Sequence, residues 1–351
     1  MPVKSARLPN PSLFAKGAIA RLMFALGGDG EEIRIAGGAV RNAMLGLPAN
    51  DIDCATTSLP KETIRRAERA GFHAIPTGIE HGTITVVVDG TPFEVTTLRA
   101  DIATDGRRAT VAFGRDFAAD AARRDFTINA LYADADGLVT DYVGGLDDIA
   151  AKRVRFIGDA ATRIREDFLR ILRLFRFHAI YGGGDLDADA LSACIREREG
   201  LDILSRERVR AELMKLIAAS RGAAMLRVMD ETGFLVRILG GVVNRVRLSK
   251  LPIGAAPALK LGALAVECAE DAQRLRERLA LSNQESDVLT RVARISEKLR
   301  AAEFNVAPKS MRALIYRDRA DVAGAVIACL AAADAPPDMI ADARTVAAWA
   351  P

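Results

Sequence analysis

The sequence predicts an α+β protein in which a mixed N-terminal domain is followed by helix alone. Three observations predict it. Up to about residue 150, short β-rich runs alternate with glycine turns. After Arg155, long stretches repeat apolar residues at spacings of three and four, with no strand run of comparable strength. Aromatics are sparse, at 5%, whereas Ala, Leu, Arg and Asp abound, a mix that favours helix. With 351 residues, 50% of them hydrophobic and 27% charged, the chain reads as a globular protein of about two or three folding units, not a disordered tail.

The strand runs are Ile33-Arg34-Ile35-Ala36, Gly82 to Val88 and Pro92 to Thr97. The last two are joined by Asp89-Gly90, whose residues accept the positive φ of a tight hairpin. Helical patterns sit among them at Val40 to Leu45, Lys61 to Ala70 and Phe126 to Ala130. Further on, helices are expected over Arg163 to Ile180, Ser205 to Ala219 and Ala223 to Leu239. Breaks fall at Tyr181-Gly182-Gly183-Gly184, Leu239-Gly240-Gly241 and Leu251-Pro252-Ile253-Gly254, and Ala335-Pro336-Pro337 isolates a short tail.

Several function classes are disfavoured. Cys54, Cys194, Cys268 and Cys329 lie far apart, which suggests neither a disulfide framework nor a zinc site and fits a reducing cytoplasm. The apolar stretch from Leu13 to Leu26 is interrupted by Lys16 and Arg21, so neither a signal peptide nor a membrane span is expected. The net charge is +3, yet Gly241 to Arg317 holds roughly fourteen Lys or Arg against eight Asp or Glu. That region is either a set of solvated helix faces or a track for a phosphate backbone.

Chemistry concentrates in Ile35-Ala36-Gly37-Gly38-Ala39-Val40-Arg41-Asn42, followed by Asn50-Asp51-Ile52-Asp53. A strand runs into two glycines and a helix start, so backbone N–H groups can approach phosphate oxygens that side chains would block, with Arg41 adding charge. Such a pair is also an ordinary turn. Asp51 and Asp53 are two apart, so on a strand both carboxylates point to one face and can hold a divalent ion. On a loop they are merely a solvated turn. Glu94 is a charged residue in an apolar, β-branched run; it either faces water or joins the two aspartates in two-metal phosphoryl or nucleotidyl transfer. Read alone, Arg123-Arg124-Asp125 is a charged helix start.

These segments, in this order, resemble the bacterial class II tRNA nucleotidyltransferases and poly(A) polymerases of the polymerase-beta superfamily. The resemblance rests on Gly37-Gly38-Ala39-Val40-Arg41, Asp51-Ile52-Asp53, Glu94 to Arg99 and Arg123-Arg124-Asp125-Phe126-Thr127-Ile128-Asn129-Ala130-Leu131. It continues through Tyr142-Val143-Gly144-Gly145-Leu146-Asp147-Asp148, Arg165 to Arg170 and Leu204 to Leu213, covering roughly residues 30 to 235. It implies a polymerase-beta-like nucleotidyltransferase head, with a mixed sheet and helices, over about residues 1–150. A helical neck that recognises the base follows over 151–220, and a helical, RNA-binding body and tail over 221–351.

The resemblance also implies roles. Gly37, Gly38 and Arg41, with Asp51 and Asp53, would hold the triphosphate and Mg²⁺; Glu94 would be a third catalytic acid; Arg124, Asp125 and Asn129 would reach ribose and phosphates. Asp167 and Arg170, three apart and so expected on one helix face, would read the base. A carboxylate that accepts from an exocyclic amine beside a guanidinium that donates to a ring nitrogen fits cytosine and adenine and rejects uracil and guanine. The implied activity is template-independent addition of C, C and A from CTP and ATP to the acceptor end of tRNA, with release of pyrophosphate, in the cytoplasm. Rivals are a poly(A) polymerase, an enzyme that adds only the final A, and a catalytically silent RNA-binding relative. The full-length interval from Arg99 to Arg123, with Asp105-Gly106-Arg107-Arg108, disfavours a CC-only enzyme. Asn42 departs from the family's usual Asp. His73, His81 and His178 supply no His-Asp pair of the kind found in an added phosphohydrolase domain.

Overall fold

The computed structural model describes residues 2–49, 51–105, 108–241, 243–252, 254–301 and Ala341; for 100–111 it describes the backbone alone. The chain divides into a compact unit of Met1–Arg170 with Tyr181–Glu197 and a second that takes Ile171–Ile180 and resumes at Arg198.

In the first unit the strands are β1 (Lys4–Arg7), β2 (Ile33–Ala36), β3 (Asp53–Thr56), β4 (His73–Gly78), β5 (Thr83–Val88), β6 (Thr91–Thr97), β7 (Arg99–Asp105), β8 (Arg108–Phe113), β9 (Leu131–Ala133) and β10 (Leu138–Asp141). The helices are α1 (Gly17–Leu26), α2 (Gly38–Met44), α3 (Pro60–Arg69), α4 (Phe117–Ala122), α5 (Gly145–Ala150) and α6 (Ala160–Glu166). Next come α7 (Leu169–Tyr181), which passes into the second unit, and α8 (Ala188–Arg196). Among the described residues, eight strands form one sheet in the order β1-β10-β9-β2-β3-β6-β5-β4, and β7 and β8 form a separate ribbon. All neighbours in the large sheet are antiparallel except β3 and β6.

The period of two along each strand lets this sheet bury both faces. Ile35, Cys54, Leu131 and Ala133 pack with Leu22, Leu26, Val40 and the inward row Ile84, Val86 and Val88. Their neighbours Ala36, Ala55 and Tyr132 face a second cluster with Leu98, Phe117 and Ile157. Asp89 and Gly90 both take positive φ, 51° and 78°, as the two-residue turn between β5 and β6 requires.

The second unit is helical: α9 (Arg206–Ala218), α10 (Gly222–Glu231), α11 (Phe234–Leu239), α12 (Arg245–Ser249), α13 (Pro257–Ala265), α14 (Ala269–Leu279) and α15 (Asn283–Ala301). Leu213, Leu216, Phe234, Leu261, Leu275, Leu289 and Val292 are buried in it. Among the described residues no helix is long and apolar enough to cross a membrane.

The structure corrects four local expectations. Phe126 to Ala130 forms only a single tight turn at Thr127–Asn129, because Phe126 is held extended. Arg123-Arg124-Asp125 does not start a helix; it follows the end of α4, with Arg123 closing it. Ala223 to Leu239 is two helices, since Gly233 enters the left-handed region at φ 79°. Arg163 to Ile180 is broken between α6 and α7, where Asp167 is extended at φ −156° and ψ 105°. The tail beginning near Ala335, and residues Gly106 and Arg107 between β7 and β8, lie outside the described residues.

Candidate nucleotide and metal site

Strand register builds the site. Ala36, the last residue of β2, pairs with Asp53, the first of β3, and Asp53 pairs in turn with Glu94 on β6. Gly37, directly after Ala36, turns the chain into α2 with φ 70° and ψ −122°, a conformation that only glycine adopts without strain. Its N–H donates to the Leu131 carbonyl at 2.9 Å, which ties the turn to β9. A Cβ on Gly37 would lie 3.0 Å from Nη1 of Arg124 and 3.4 Å from the Asn129 carbonyl oxygen. Gly38 is less confined: its nearest atom would be Nη2 of Arg41 at 3.6 Å. Segments far apart in sequence thus meet around one glycine.

Asp51 lies in the bend before β3, so the strand alternation expected to align it with Asp53 does not apply. The two carboxylates are nonetheless close enough to interact. Although much of Asp53 faces solvent, partial desolvation and the Glu94 charge, with Asp51 adding to them, hold its carboxyl above the usual range against the opposing pull of Arg124. Like charges gathered around one carboxyl are the setting in which a divalent cation is favourable. Among the described residues no three His, Cys, Asp or Glu side chains are grouped to hold a metal. The pair of Asp51 and Asp53 suits Mg²⁺, which is usually bound through one or two carboxylates with substrate phosphates and water completing its shell.

Arg124 stands at the Gly37 turn. Its Nη1 donates to the Asn129 carbonyl at 3.3 Å, while Nε and Nη2 donate to Oδ2 of Asp120 at 3.2 and 3.1 Å. Asp125 and Asn129 are buried and joined by a bond from the Asn129 amide to Oδ1 of Asp125 at 3.1 Å. Oδ1 of Asn129 in turn accepts from Nη1 of Arg41. Arg41 also donates to the Tyr181 hydroxyl at 2.7 Å, lies 4.0 Å from that ring's centre, and donates from Nε to Oδ1 of Asn42 at 3.1 Å. Asn42 therefore accepts from Arg41 as an Asp would, and its amide donates to the Pro48 carbonyl at 2.9 Å.

The expected helical spacing of Asp167 and Arg170 is not found. Asp167 lies outside both helices, and its Oδ1 accepts the Leu169 N–H at 3.1 Å, capping α7. Arg170, on α7, donates to Oε2 of Glu166 at 2.5 Å and to the Arg163 carbonyl at 2.7 Å. Glu166 also accepts from Arg163, at 2.9 and 3.0 Å. The Asp interrupts the helix because its short carboxylate satisfies a first-turn N–H from outside the helix.

Sequence reasoning missed the supports of these residues. Asp120 precedes Arg123 and Arg124 by three and four, a spacing that signals helical ion pairs and was available in the sequence. Tyr132 and Tyr181 gave no local signal. Asp148, fully buried, accepts from Thr127 Oγ1 at 2.6 Å, Arg153 Nε at 2.7 Å and Arg155 Nε at 3.1 Å, locking the segment after β10 onto the Thr127 turn. Gly145 sits so close to that turn that a Cβ would come 2.3 Å from the Thr127 carbonyl oxygen.

Residues 33–155 match the model of the poly A polymerase head domain, and residues 185–242 match a second model, described as the probable RNA and SrmB-binding site of polymerase A. The chain belongs to the poly(A) polymerase and CCA-adding enzyme family. Within this family it is 38% identical over 285 residues to the mitochondrial CCA tRNA nucleotidyltransferase 1 of Mus musculus, a match that takes in 79% of this chain and 65% of the mouse protein. It is 39% identical over 219 residues to the CCA-adding enzyme of Leuconostoc citreum, covering 62% of this chain and 53% of that enzyme. The chain thus spans about half to two thirds of these family members. A structure of the Bacillus stearothermophilus CCA-adding enzyme in complex with CTP aligns with a TM-score of 0.73 at 28% identity, covering 94% of this chain and 82% of that one. The Thermotoga maritima CCA-adding enzyme complexed with tRNA shares the fold of this family member, with a TM-score of 0.74 at 18% identity over 99% of this chain and 86% of that one.

Proposed function

We propose that this chain is a template-independent CCA-adding tRNA nucleotidyltransferase that uses CTP and ATP. The observation that carries the reading is the convergence of Asp53, Glu94 and Arg124 on the Gly37 turn, which sets carboxylates, a fixed guanidinium and open backbone side by side. Gly37, Gly38 and Arg124 would receive the triphosphate. Arg41, Asp125 and Asn129, hydrogen-bonded to one another, would shape the ribose and phosphate pocket. Asp51 and Asp53 would hold Mg²⁺, which neutralises developing charge on the transferring phosphate. The RNA 3′-hydroxyl oxygen bonds to the α-phosphorus as the bond to the pyrophosphate oxygen breaks. The hydroxyl proton would pass to Glu94, the carboxylate beside Asp53 that is not assigned to the metal.

Asp167 and Arg170 would read the base. Glu166 holds the Arg170 guanidinium from one side, so the arginine is oriented before a base arrives. The basic helices of the second unit would contact the tRNA acceptor arm through phosphates and shape. The likeness to the relatives above supports these substrates, and the buried free thiols of Cys54 and Cys194 fit a reducing compartment.

The test is incorporation of labelled CTP and ATP, separately and together, into tRNA transcripts ending before CCA, after C and after CC, with Mg²⁺ and an unrelated RNA as control. Addition of C, C and A that stops there is the expected result. A alone on the CC-ending transcript, or long A tails on any RNA, moves the assignment to an A-adding enzyme or a poly(A) polymerase. Asp51→Ala is expected to abolish incorporation; unchanged incorporation would overturn the metal assignment.

A further inference from the structure

We propose that Asp120, seconded by the Tyr132 hydroxyl, is a positioning residue that fixes the Arg124 guanidinium at the Gly37 turn and so sets nucleotide affinity. The inference rests on the nucleotide reading of that turn given above. Asp120 lies on α4 and is only 1% exposed, and neither the metal pair nor the base-reading pair uses it. Both its oxygens are engaged. Oδ1 accepts from Nε and Nη2 of Arg123 at 2.9 and 2.5 Å; Oδ2 accepts from Nε and Nη2 of Arg124 and from the Tyr132 hydroxyl at 2.7 Å. The Tyr132 oxygen also accepts from Nε of Arg124 at 3.1 Å.

The consequence is directional. A guanidinium is planar and rigid, so holding its Nε and Nη2 edge decides where Nη1 points. Here Nη1 points to the Asn129 carbonyl and to the space where Gly37 lacks a side chain. Arg123 alone would compensate the charge of Asp120, since it already makes two bonds to one oxygen. The second oxygen and a fully buried phenol are given over to Arg124, an arrangement that aligns it as well as packing it. Burial pulls the Asp120 carboxyl upward, but the Arg124 and Arg123 charges and the tyrosine bond outweigh it and hold the carboxyl below the usual range, so the hub is an anion at neutral pH. Tyr132 is pushed above its ordinary value, by burial first, and stays a proton donor.

Three variants test this in nucleotide addition to tRNA. Asp120→Asn keeps the shape but loses charge-assisted bonds worth about 1.5 kcal/mol or more, so the KM for both CTP and ATP is expected to rise about tenfold or more. Tyr132→Phe keeps the carboxylate and is expected to raise both KM values by a smaller factor. If Asp120 acts through Arg124, adding Asp120→Asn to Arg124→Lys costs less than about threefold further, because coupled residues are not additive. A role in folding alone would lower the melting temperature and the active fraction while leaving KM unchanged. Unchanged KM in folded Asp120→Asn, or fully additive losses in the double variant, would overturn the proposal. Should Asp120→Asn not fold, unchanged KM in Tyr132→Phe overturns it. If the wild type adds no nucleotide to any RNA, the functional reading itself fails. Equilibrium dialysis of labelled ATP then tests the positioning role on its own, weaker binding by Tyr132→Phe supporting it and equal binding overturning it.

Discussion

Gly37→Ala isolates what the turn requires. At φ 70° and ψ −122° a side chain is strained by about 1–3 kcal/mol. The added methyl would also stand 3.0 Å from the Arg124 guanidinium, tighter than ordinary contact and against a group held by Asp120 on its far edge. Taking about 2 kcal/mol in all, and about 2–4 °C of melting temperature per kcal/mol for a unit of this size, the variant should melt about 4–8 °C lower. It should also bind nucleotide more weakly, because the guanidinium has to move. Gly38→Ala is the internal control. Its methyl meets nothing nearer than 3.6 Å, and alanine is the better helix residue, so stability should hold or rise. If triphosphate packs on this backbone, Gly38→Ala raises the nucleotide KM without lowering the melting temperature. Differential scanning calorimetry and steady-state kinetics on the pair decide it. A Gly37→Ala protein with wild-type melting temperature and wild-type KM would refute the reasoning from strain and from the Arg124 contact together.

Other expectations follow from the same geometry. Asp53 has a raised carboxyl pKa, so it binds its proton more tightly folded than unfolded, where about 3.9 is usual. Its contribution to stability is therefore present in acid and lost as pH rises through the folded value. Asp53→Asn should make the metal-free protein more stable than wild type near neutral pH, with the difference closing toward pH 4; melting curves in EDTA showing no gain at neutral pH would contradict the like-charge cluster. Asp148→Asn removes charge-assisted bonds to Arg153 and Arg155, both partly exposed, and should destabilise by about 2 kcal/mol in urea titration; a change within error would show that these bonds do not hold the segment after β10 onto the Thr127 turn. Arg170→Ala should lose base discrimination, with UTP incorporated relative to CTP at least about tenfold more readily; an unchanged ratio would remove Arg170 from the base-reading role.

Periodicity along the chain carried much of the fold. Alternation in Thr83–Val88 and the Asp89-Gly90 pair specify a hairpin locally, because a strand shows its two faces in consecutive residues and the turn needs two residues tolerant of positive φ. Helix boundaries were less legible where a polar side chain competes with the ladder. Asp167 ends one helix and caps the next, and Gly233 divides another run, although the apolar spacing continues through both.

The site divides in the same way. The sequence by itself determined which chemical groups are present and where the backbone must be bare: Gly37 and Gly38, Asp51 and Asp53, Glu94, the two arginines before Asp125. Those are properties of residue type and short spacing. Only the tertiary structure decided which of them meet. Asp53 lies beside Glu94 because β3 and β6 pair in parallel across some forty intervening residues, a register set by burial on both sheet faces. Arg124 points at Gly37 because Asp120, four residues back on α4, and Tyr132, on β9, hold its other edge. Local pattern cannot encode such an orientation, since a guanidinium has many rotamers until partners from separate elements close around it.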